Sequence, residues 1–128
     1  MTTLTLNQEI DRVCAALAAL RLPAEPGEYD IHAEVAAALA AAGLEYAHEY
    51  KLGPRCRVDF RVGRVGIEVK KGRPAASDLR RQLARYLAFD DLSAMVVVTQ
   101  KVTPVPERIG GKPVRLISIN RLWGVALP

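Results

Sequence analysis

The sequence predicts an α/β protein with a mixed central sheet flanked by helices. Three observations indicate this fold class. Segments with helical spacing of apolar residues lie before and after a block of alternating strands. A continuously apolar run, AMVVVTQ, is typical of a strand covered on both faces. A helix separates this run from the earlier strands, so the right-handed crossover rule predicts parallel pairing with one of them.

The predicted elements follow in the order α, α, β, β, β, α, β, loop, β. The first helix is LNQEIDRVCAALAALR, which ends before the prolines and glycine of LPAEPGEYD. Asp30 is the candidate N-cap of a second helix, IHAEVAAALAAAG, and Gly43 ends it. Strands LEYAHEYKL, CRVDFRV and RVGIEVK follow, then helix ASDLRRQLARYLAF. Strand AMVVVTQ, a proline-rich loop, strand VRLISI and a short apolar tail with Trp123 complete the chain.

The length of 128 residues predicts a single domain over 1–128, with an N-terminal helix in 1–22 and a core over about 30–100. No apolar run reaches the roughly 18 residues of a membrane span, and the N-terminus lacks a signal-peptide pattern. Cys14 and Cys56 lie in apolar patterns and are expected to be small buried residues of a reducing compartment. We therefore expect a cytoplasmic protein without a membrane partner. The apolar stripe of the first helix fits either packing on the core or a homodimer interface.

The basic residues are concentrated in one segment. Between Arg55 and Arg85 there are ten Lys and Arg against three acids, a local net charge of +7, while the rest of the chain has a net charge of −3. A local concentration of positive charge is typical of a surface that binds a polyanion. A solvated basic face is the alternative.

The second and third strands predict a hairpin around Gly63 and Arg64. Glycine at the first loop position suits a tight type II′ turn. The resulting register places three apolar pairs on one face: Val62 with Val65, Phe60 with Ile67, and Val58 with Val69. On the other face it places Asp59 across from Glu68 and Arg57 across from Lys70.

The predicted pairing of Asp59 with Glu68 needs a compensating charge. Like charges at about 4.5–5.5 Å between Cβ atoms destabilise a sheet. A divalent cation such as Mg²⁺ or Mn²⁺ compensates them, because two carboxylates supply the hard oxygen ligands these ions prefer. Ion pairs with Arg57 and Arg61 on the same face are the alternative.

Two further polar residues lie at or beside apolar stripes. Gln82 is four residues before Tyr86, within the stripe of the third helix. Glu34 lies at the edge of the stripe of the second helix. A buried amide without a partner costs about 1–3 kcal/mol, so a site that uses Gln82 is favoured over simple packing. For each of the two residues, a side chain exposed at the edge of the stripe is the alternative.

These motifs resemble the PD-(D/E)xK nuclease superfamily, with the restriction-endonuclease-like αβββαβ core, over about Asp30 to Gln100. The first acid falls on Asp59 in RVDF, with Val58 in place of the usual proline. The (D/E)xK element falls on Glu68-Val69-Lys70, and the helical acid on Glu34. QLARY, Gln82 to Tyr86, is similar to the QxxxY element of RecB-like and Cas4-like nucleases. A helical histidine is a ligand in many RecB-like members, but we expect His32 to be exposed, since it lies about 200° from Glu34 on the helix.

The resemblance implies a Mg²⁺- or Mn²⁺-dependent deoxyribonuclease. Asp59, Glu68, the carbonyl of Val69 and Glu34 would hold the metal, and Lys70 would orient a water or stabilise charge on the phosphate. Gln82 and Tyr86 would position the substrate or a metal-bound water. Phosphate affinity would come from basic residues: Arg57, Lys71, Arg73, Arg80, Arg81 and Arg85. We expect structure-specific or non-specific cleavage; the alternative is a catalytically inactive nucleic-acid-binding or scaffold module on the same fold.

Overall fold

The computed structural model describes residues 3–20 and 28–119, and these form three helices and one mixed six-stranded sheet. The helices are α1 (Leu6–Leu17), α2 (Glu28–Ala41) and α3 (Ala76–Leu87). The strands are β1 (Ala47–Gly53), β2 (Cys56–Val62), β3 (Val65–Lys70), β4 (Ala94–Thr99), β5 (Arg108–Ile109) and β6 (Lys112–Ser118). This confirms the predicted α/β class. The predicted tail with Trp123 lies outside the described residues. None of the described helices has the length and apolar character needed to cross a bilayer.

The sheet has the strand order β1-β2-β3-β4-β6-β5. Strand β3 pairs antiparallel with β2 and parallel with β4, as the sequence predicts for the crossover through α3. Strand β6 pairs parallel with β4. The two-residue strand β5, within the predicted proline-rich loop, was not predicted; it pairs antiparallel with the start of β6.

Helices α1 and α2 cover one face of the sheet and α3 covers the other. The side chain of Thr5 caps α1 by accepting a hydrogen bond from the backbone of Gln8 over 3.1 Å. The stripe of α1 is buried in this chain's own core, including Ile10, Val13 and Leu17, so it packs on the core rather than facing a partner. Helix α2 begins at Glu28, so Asp30 lies in the first turn and is not the N-cap.

The predicted hairpin register is confirmed near the turn and fails at Val58. Val62 pairs with Val65 and Phe60 with Ile67, as predicted. Val58, however, packs in the core on the α3 side, while Val69 packs on the α1 and α2 side. The alternation of β2 is broken at Asp59, because His32 of α2 contacts both the Asp59 carboxylate and the Phe60 ring. Both consecutive residues therefore contact α2.

A backbone irregularity on β1 lies opposite this break. His48 pairs with Phe60 and Tyr50 with Val58, which places Glu49 opposite Asp59. Glu49 has φ of 55°, a left-handed conformation uncommon for a side chain other than glycine. A bulge-like change of this kind re-aims side chains next to it. This irregularity lies directly beside the break in the alternation of β2.

Candidate active site

Two carboxylates meet where β2 and β3 separate. Beyond the pair Phe60–Ile67, the Val69 N–H donates a hydrogen bond to Oδ2 of Asp59 over 2.8 Å. The Asp59 N–H donates to Oε1 of Glu68 over 3.3 Å. Side-chain oxygens thus take the place of the carbonyl groups that would continue the ladder. This exchange holds Asp59 and Glu68 side by side at the split between the strands.

Glu68 is a buried acid with a mixed environment. It is 3% exposed and faces α3, where its Oε2 accepts a hydrogen bond from the Tyr86 hydroxyl over 3.0 Å. The Lys70 ammonium lies 3.4 Å from the same oxygen. Burial raises the pKa of Glu68 to about 7, the charge of Asp59 adds to the rise, and Lys70 and Tyr86 oppose it. One lysine therefore compensates the two acids only in part.

Tyr86 links Glu68 to α3. Its hydroxyl accepts a hydrogen bond from Nε2 of Gln82 over 2.9 Å and also lies 3.2 Å from the carbonyl oxygen of Arg57. Burial, and then the charge of Glu68, raise the pKa of Tyr86, so its hydroxyl keeps its proton. The spacing of four residues brings Gln82 and Tyr86 onto the same side of the helix. Helix α3 thereby orients the Glu68 carboxylate through a chain of two side chains.

A cavity of about 570 Å³ opens over these groups. Asp59 and Glu68 line it with Tyr86 and Gln82 of α3. Most of its other lining side chains are basic. The basic lining residues are Lys51, Arg55, Arg57 and Arg85. Glu49 also lines the cavity, and its carboxylate lies 3.7 Å from Arg57. Cations thus surround the entrance to a site with two acids in its wall.

The basic residues that the sequence predicts to bind nucleic acid occupy three places. Arg57 and Arg85 line the cavity, and Lys71 and Arg73 are exposed in the loop that follows β3. Arg80 and Arg81 are exposed on α3 outside the cavity lining, and Arg81 lies 3.6 Å from Asp78. Arg80 lies two residues from Gln82, about 200° around the helix, which directs it away from the cavity.

The sequence analysis did not identify Lys51, Arg55 and Glu49 as lining residues. Lys51 pairs with Arg57 across the first two strands. Extending the hairpin register to β1 is the signal that identifies this basic pair. Arg55 has φ of 57° in the turn between β1 and β2, which only the backbone conformation reveals.

The two edges of α2 face different neighbours, and this decides between His32 and Glu34. Nε2 of His32 lies 3.7 Å from Oδ2 of Asp59, and its side chain is 15% exposed. Glu34 is exposed and lines a groove between α1 and α2 with Arg12 and several alanines. The structure therefore does not bring Glu34 to the other acids. It brings His32 there instead, because the buried stripe of α2 turns that edge toward β2.

His48 on β1 was not singled out from the sequence, and it completes the surroundings of His32. Its Nε2 lies 3.0 Å from Nδ1 of His32, and its ring stacks on Phe60 at a centroid distance of 4.6 Å. One imidazole must donate and the other accept in this bond. If Nδ1 of His32 donates, its Nε2 presents a lone pair toward Asp59. The pairing thus ties the tautomer of His32 to His48.

Within the described residues, no three His, Cys, Asp or Glu side chains converge closely enough to form a metal site by themselves. Any ion bound here needs backbone or water ligands in addition to Asp59 and Glu68. Comparisons of the chain with protein-family models, curated proteins and solved structures find no match. The geometry of this site and the motifs of the chain therefore carry the functional assignment proposed below.

Proposed function

We propose that the protein is a metal-dependent DNA nuclease that hydrolyses phosphodiester bonds. The observation that carries the proposal is the placement of Asp59 and Glu68 together in the wall of a cavity with a basic entrance, with the Lys70 ammonium 3.4 Å from Glu68. Cationic side chains at the entrance attract a polyanion. The two acids then need a cation between themselves and the incoming phosphate. This combination is typical of phosphoryl chemistry rather than of a simple ion-pair network.

Mg²⁺ or Mn²⁺ fits the donor set. The carboxylates of Asp59 and Glu68 are hard oxygen donors, and burial with the charge of Asp59 raises the pKa of Glu68 to about 7. The carboxylates of Asp59 and Glu68 thus lack enough positive charge nearby to compensate both of them. Asp59 and Glu68 would hold the ion, with the Val69 carbonyl and water as further donors, and His32, 3.7 Å from Asp59, would orient that carboxylate. When bound, such an ion supplies polarisation of a phosphate oxygen and a lowered pKa of a coordinated water.

The chain's own residues have separate tasks in this proposal. The Lys70 ammonium, 3.4 Å from Glu68, stabilises negative charge that develops on the phosphate. Tyr86 fixes the orientation of Glu68, and Gln82 fixes that of Tyr86. The basic lining residues, Lys51, Arg55, Arg57 and Arg85, bind the flanking backbone.

The order α2-β1-β2-β3-α3-β4 supports the resemblance to the restriction-endonuclease-like core. The QxxxY pair supports it further, because Gln82 donates a hydrogen bond to Tyr86 and Tyr86 donates one to Glu68. The alternative function is a catalytically inactive nucleic-acid-binding or scaffold module on this fold. The partly compensated acid pair favours the enzyme, since a binding surface alone gains nothing from a buried acid beside a phosphate.

The test uses the purified chain on supercoiled plasmid, linear duplex, single strands and a four-way junction, each with Mg²⁺, Mn²⁺ or EDTA. We expect cleavage of at least one substrate with a divalent ion and none with EDTA. Asp59→Asn, Glu68→Gln and Lys70→Ala should each reduce the rate by about 10²-fold or more. Glu45→Gln is the matched control, because Glu45 is an exposed acid outside the cavity.

Two results would count against the enzyme. If Lys70→Ala and the wild type behave alike on every substrate, the chain has no nuclease activity through this site. If the wild type binds DNA but cleaves no substrate under any condition, the chain is an inactive nucleic-acid-binding module and the nuclease proposal is wrong. Isothermal calorimetry with Mn²⁺ tests the metal separately, and heat of binding that Asp59→Asn leaves unchanged would point to compensation by arginine.

A further inference from the structure

The charged residues are arranged differently at the two ends of the sheet. At the end where β2 and β3 join, the basic residues are matched by acids: Arg61 lies 3.8 Å from Asp91, and Arg64 is paired with Glu9. At the other end, β1, β3 and β4 end and β2 begins. This second end carries the basic residues Lys51, Arg55, Arg57, Lys70, Lys71, Arg73 and Lys101.

Three of these cations lie in two loops beside the cavity. Lys71 and Arg73 are in the loop after β3, and Lys101 is in the loop after β4. All three are exposed, and none forms a salt bridge with any acid in residues 3–20 or 31–119. Unmatched cations at the same edge as the acid pair are available for an external anion.

The two loops are joined by three hydrogen bonds, one between backbones and two between the backbone of the first loop and a side chain of the second. The Lys101 N–H donates to the Gly72 carbonyl over 3.3 Å, and the Gly72 N–H donates to Oε1 of Gln100 over 2.6 Å. Thr103 donates through its hydroxyl to the Pro74 carbonyl over 3.3 Å. The loops therefore form one surface, and the basic side chains are free to point outward from it.

The loop after β4 is also held to the sheet. The Thr99 hydroxyl donates to the Lys101 carbonyl over 2.6 Å, and the Ser118 hydroxyl donates to the Gln100 carbonyl over 3.3 Å. Val102, next in the chain, is 49% exposed, the more exposed of the two large apolar side chains that reach solvent in the described segments. A loop fixed at its backbone that presents a cation and an apolar side chain to solvent has the character of a contact surface.

We infer that loops 71–74 and 100–103 form a second phosphate-binding surface, in which Lys71, Arg73 and Lys101 bind the DNA backbone beyond the cavity. This inference rests on the proposed nuclease function, and it adds Lys101 and the joint use of two loops. Strands lie about 4.8 Å apart, so the edge from β1 to β4 is about 14 Å wide. Each strand of a duplex advances about 3.4 Å along the helix axis per nucleotide, so an edge that lies along this axis covers about four nucleotide steps. The substrate is a polynucleotide segment rather than a mononucleotide.

The salt dependence of DNA binding tests the surface without requiring cleavage. Binding of a fluorescent duplex is measured by anisotropy in EDTA at several salt concentrations, for wild type and for Lys101→Ala, Lys71→Ala and Arg73→Ala. Each phosphate contact contributes about 0.9 to the slope of log K against log salt. We expect each variant to lower the slope by about one and the affinity about 3- to 30-fold. The hydrogen bonds of Lys101 are made by its backbone N–H and carbonyl groups, so Lys101→Ala should unfold at the same temperature as wild type.

Arg12→Ala is the matched control, since Arg12 is an exposed cation on α1 beside the groove that holds Glu34. Its slope should equal that of wild type. If Lys101→Ala and Arg12→Ala give equal slopes, the second surface is refuted, whether or not the protein cleaves DNA. A wild type that binds no duplex refutes it as well. If Lys101→Ala lowers the slope but no condition gives cleavage, the surface stands and the nuclease proposal fails.

Discussion

The hydroxyl of Tyr86 donates to Oε2 of Glu68 across 3.0 Å, joining helix α3 to the acid at the end of β3. The bond opposes the rise in the pKa of Glu68, because it favours the charged carboxylate. Gln82 holds the hydroxyl from the other side. The orientation and the protonation of Glu68 therefore depend on a side chain that does not itself need to contact substrate.

Tyr86→Phe should shift the pH profile of cleavage. Without the donor, the pKa of Glu68 rises further, so the acidic limb of the rate profile should move upward by roughly one pH unit or less. At pH 7 the rate should fall up to about fivefold, because the ionised fraction of Glu68 falls from about one half to about one tenth. Tyr50→Phe is the matched control, since the Tyr50 hydroxyl donates a hydrogen bond to Asp91 over 2.7 Å and does not line the cavity. Equal profiles for the two variants would show that Tyr86 does not act through Glu68.

Glu68→Gln should change how stability depends on pH. The folded pKa of Glu68, about 7, lies above that of an unfolded glutamate, so the unfolded chain releases its proton first as pH rises. The contribution of the neutral Glu68 to the stability of the wild type is complete below about pH 4.5 and is lost progressively up to about pH 7. The variant lacks this loss, so its thermal midpoint relative to wild type should increase between about pH 4.5 and pH 7. A difference that does not vary with pH, measured by circular dichroism, contradicts the raised pKa.

Mn²⁺ should stabilise the wild type at pH 8. An ion that binds the folded state alone adds about 2.7 kcal/mol when its concentration is 100 times the dissociation constant. The increase in thermal midpoint should be absent in Asp59→Asn and in Glu68→Gln, and retained in Glu45→Gln. An equal increase in all four proteins would indicate ion binding elsewhere on the chain.

His32 and Glu34 should differ in their effect on cleavage. His32 lies beside Asp59 and Glu34 beside α1, so His32→Ala should reduce the rate about tenfold or more and Glu34→Gln by less than twofold. The rates are compared at saturating Mn²⁺ and at low Mn²⁺, because weaker binding of the ion is partly overcome by excess metal. A large loss in Glu34→Gln with none in His32→Ala would restore the assignment that the sequence favours.

Lys112 should contribute to stability through the end of α3. Its ammonium donates to three carbonyl oxygens, those of Leu87, Phe89 and Leu92, at 2.8, 3.2 and 2.7 Å. A cation at a helix C-terminus also interacts favourably with the helix dipole. Lys112→Met should lower the free energy of unfolding by about 1–3 kcal/mol, measured by urea denaturation. Lys71→Met is the control and should change it by less than about 0.5 kcal/mol, because Lys71 is exposed.

Much of the fold and part of the site follow from local pattern. The register around Gly63 and Arg64 is readable because a slip of one residue would turn Phe60 and Ile67 to opposite faces. That register alone predicts that Asp59 and Glu68 are neighbours. The spacing of Gln82 and Tyr86 likewise predicts one helix face. The short strand β5 is not readable, since two residues carry no periodicity.

The sequence by itself determined the order of the elements other than β5, the parallel pairing of β4 with an earlier strand and the meeting of the two acids, because periodicity and turn residues act over a few neighbouring positions. Only the tertiary structure decided that Val58 faces α3 and that His32 rather than Glu34 approaches Asp59. It also decided which arginines line the cavity. A helix or strand presents two edges, and its own sequence does not say which neighbour packs against each. That choice is made when the helices settle on the sheet and the most apolar stripe is buried.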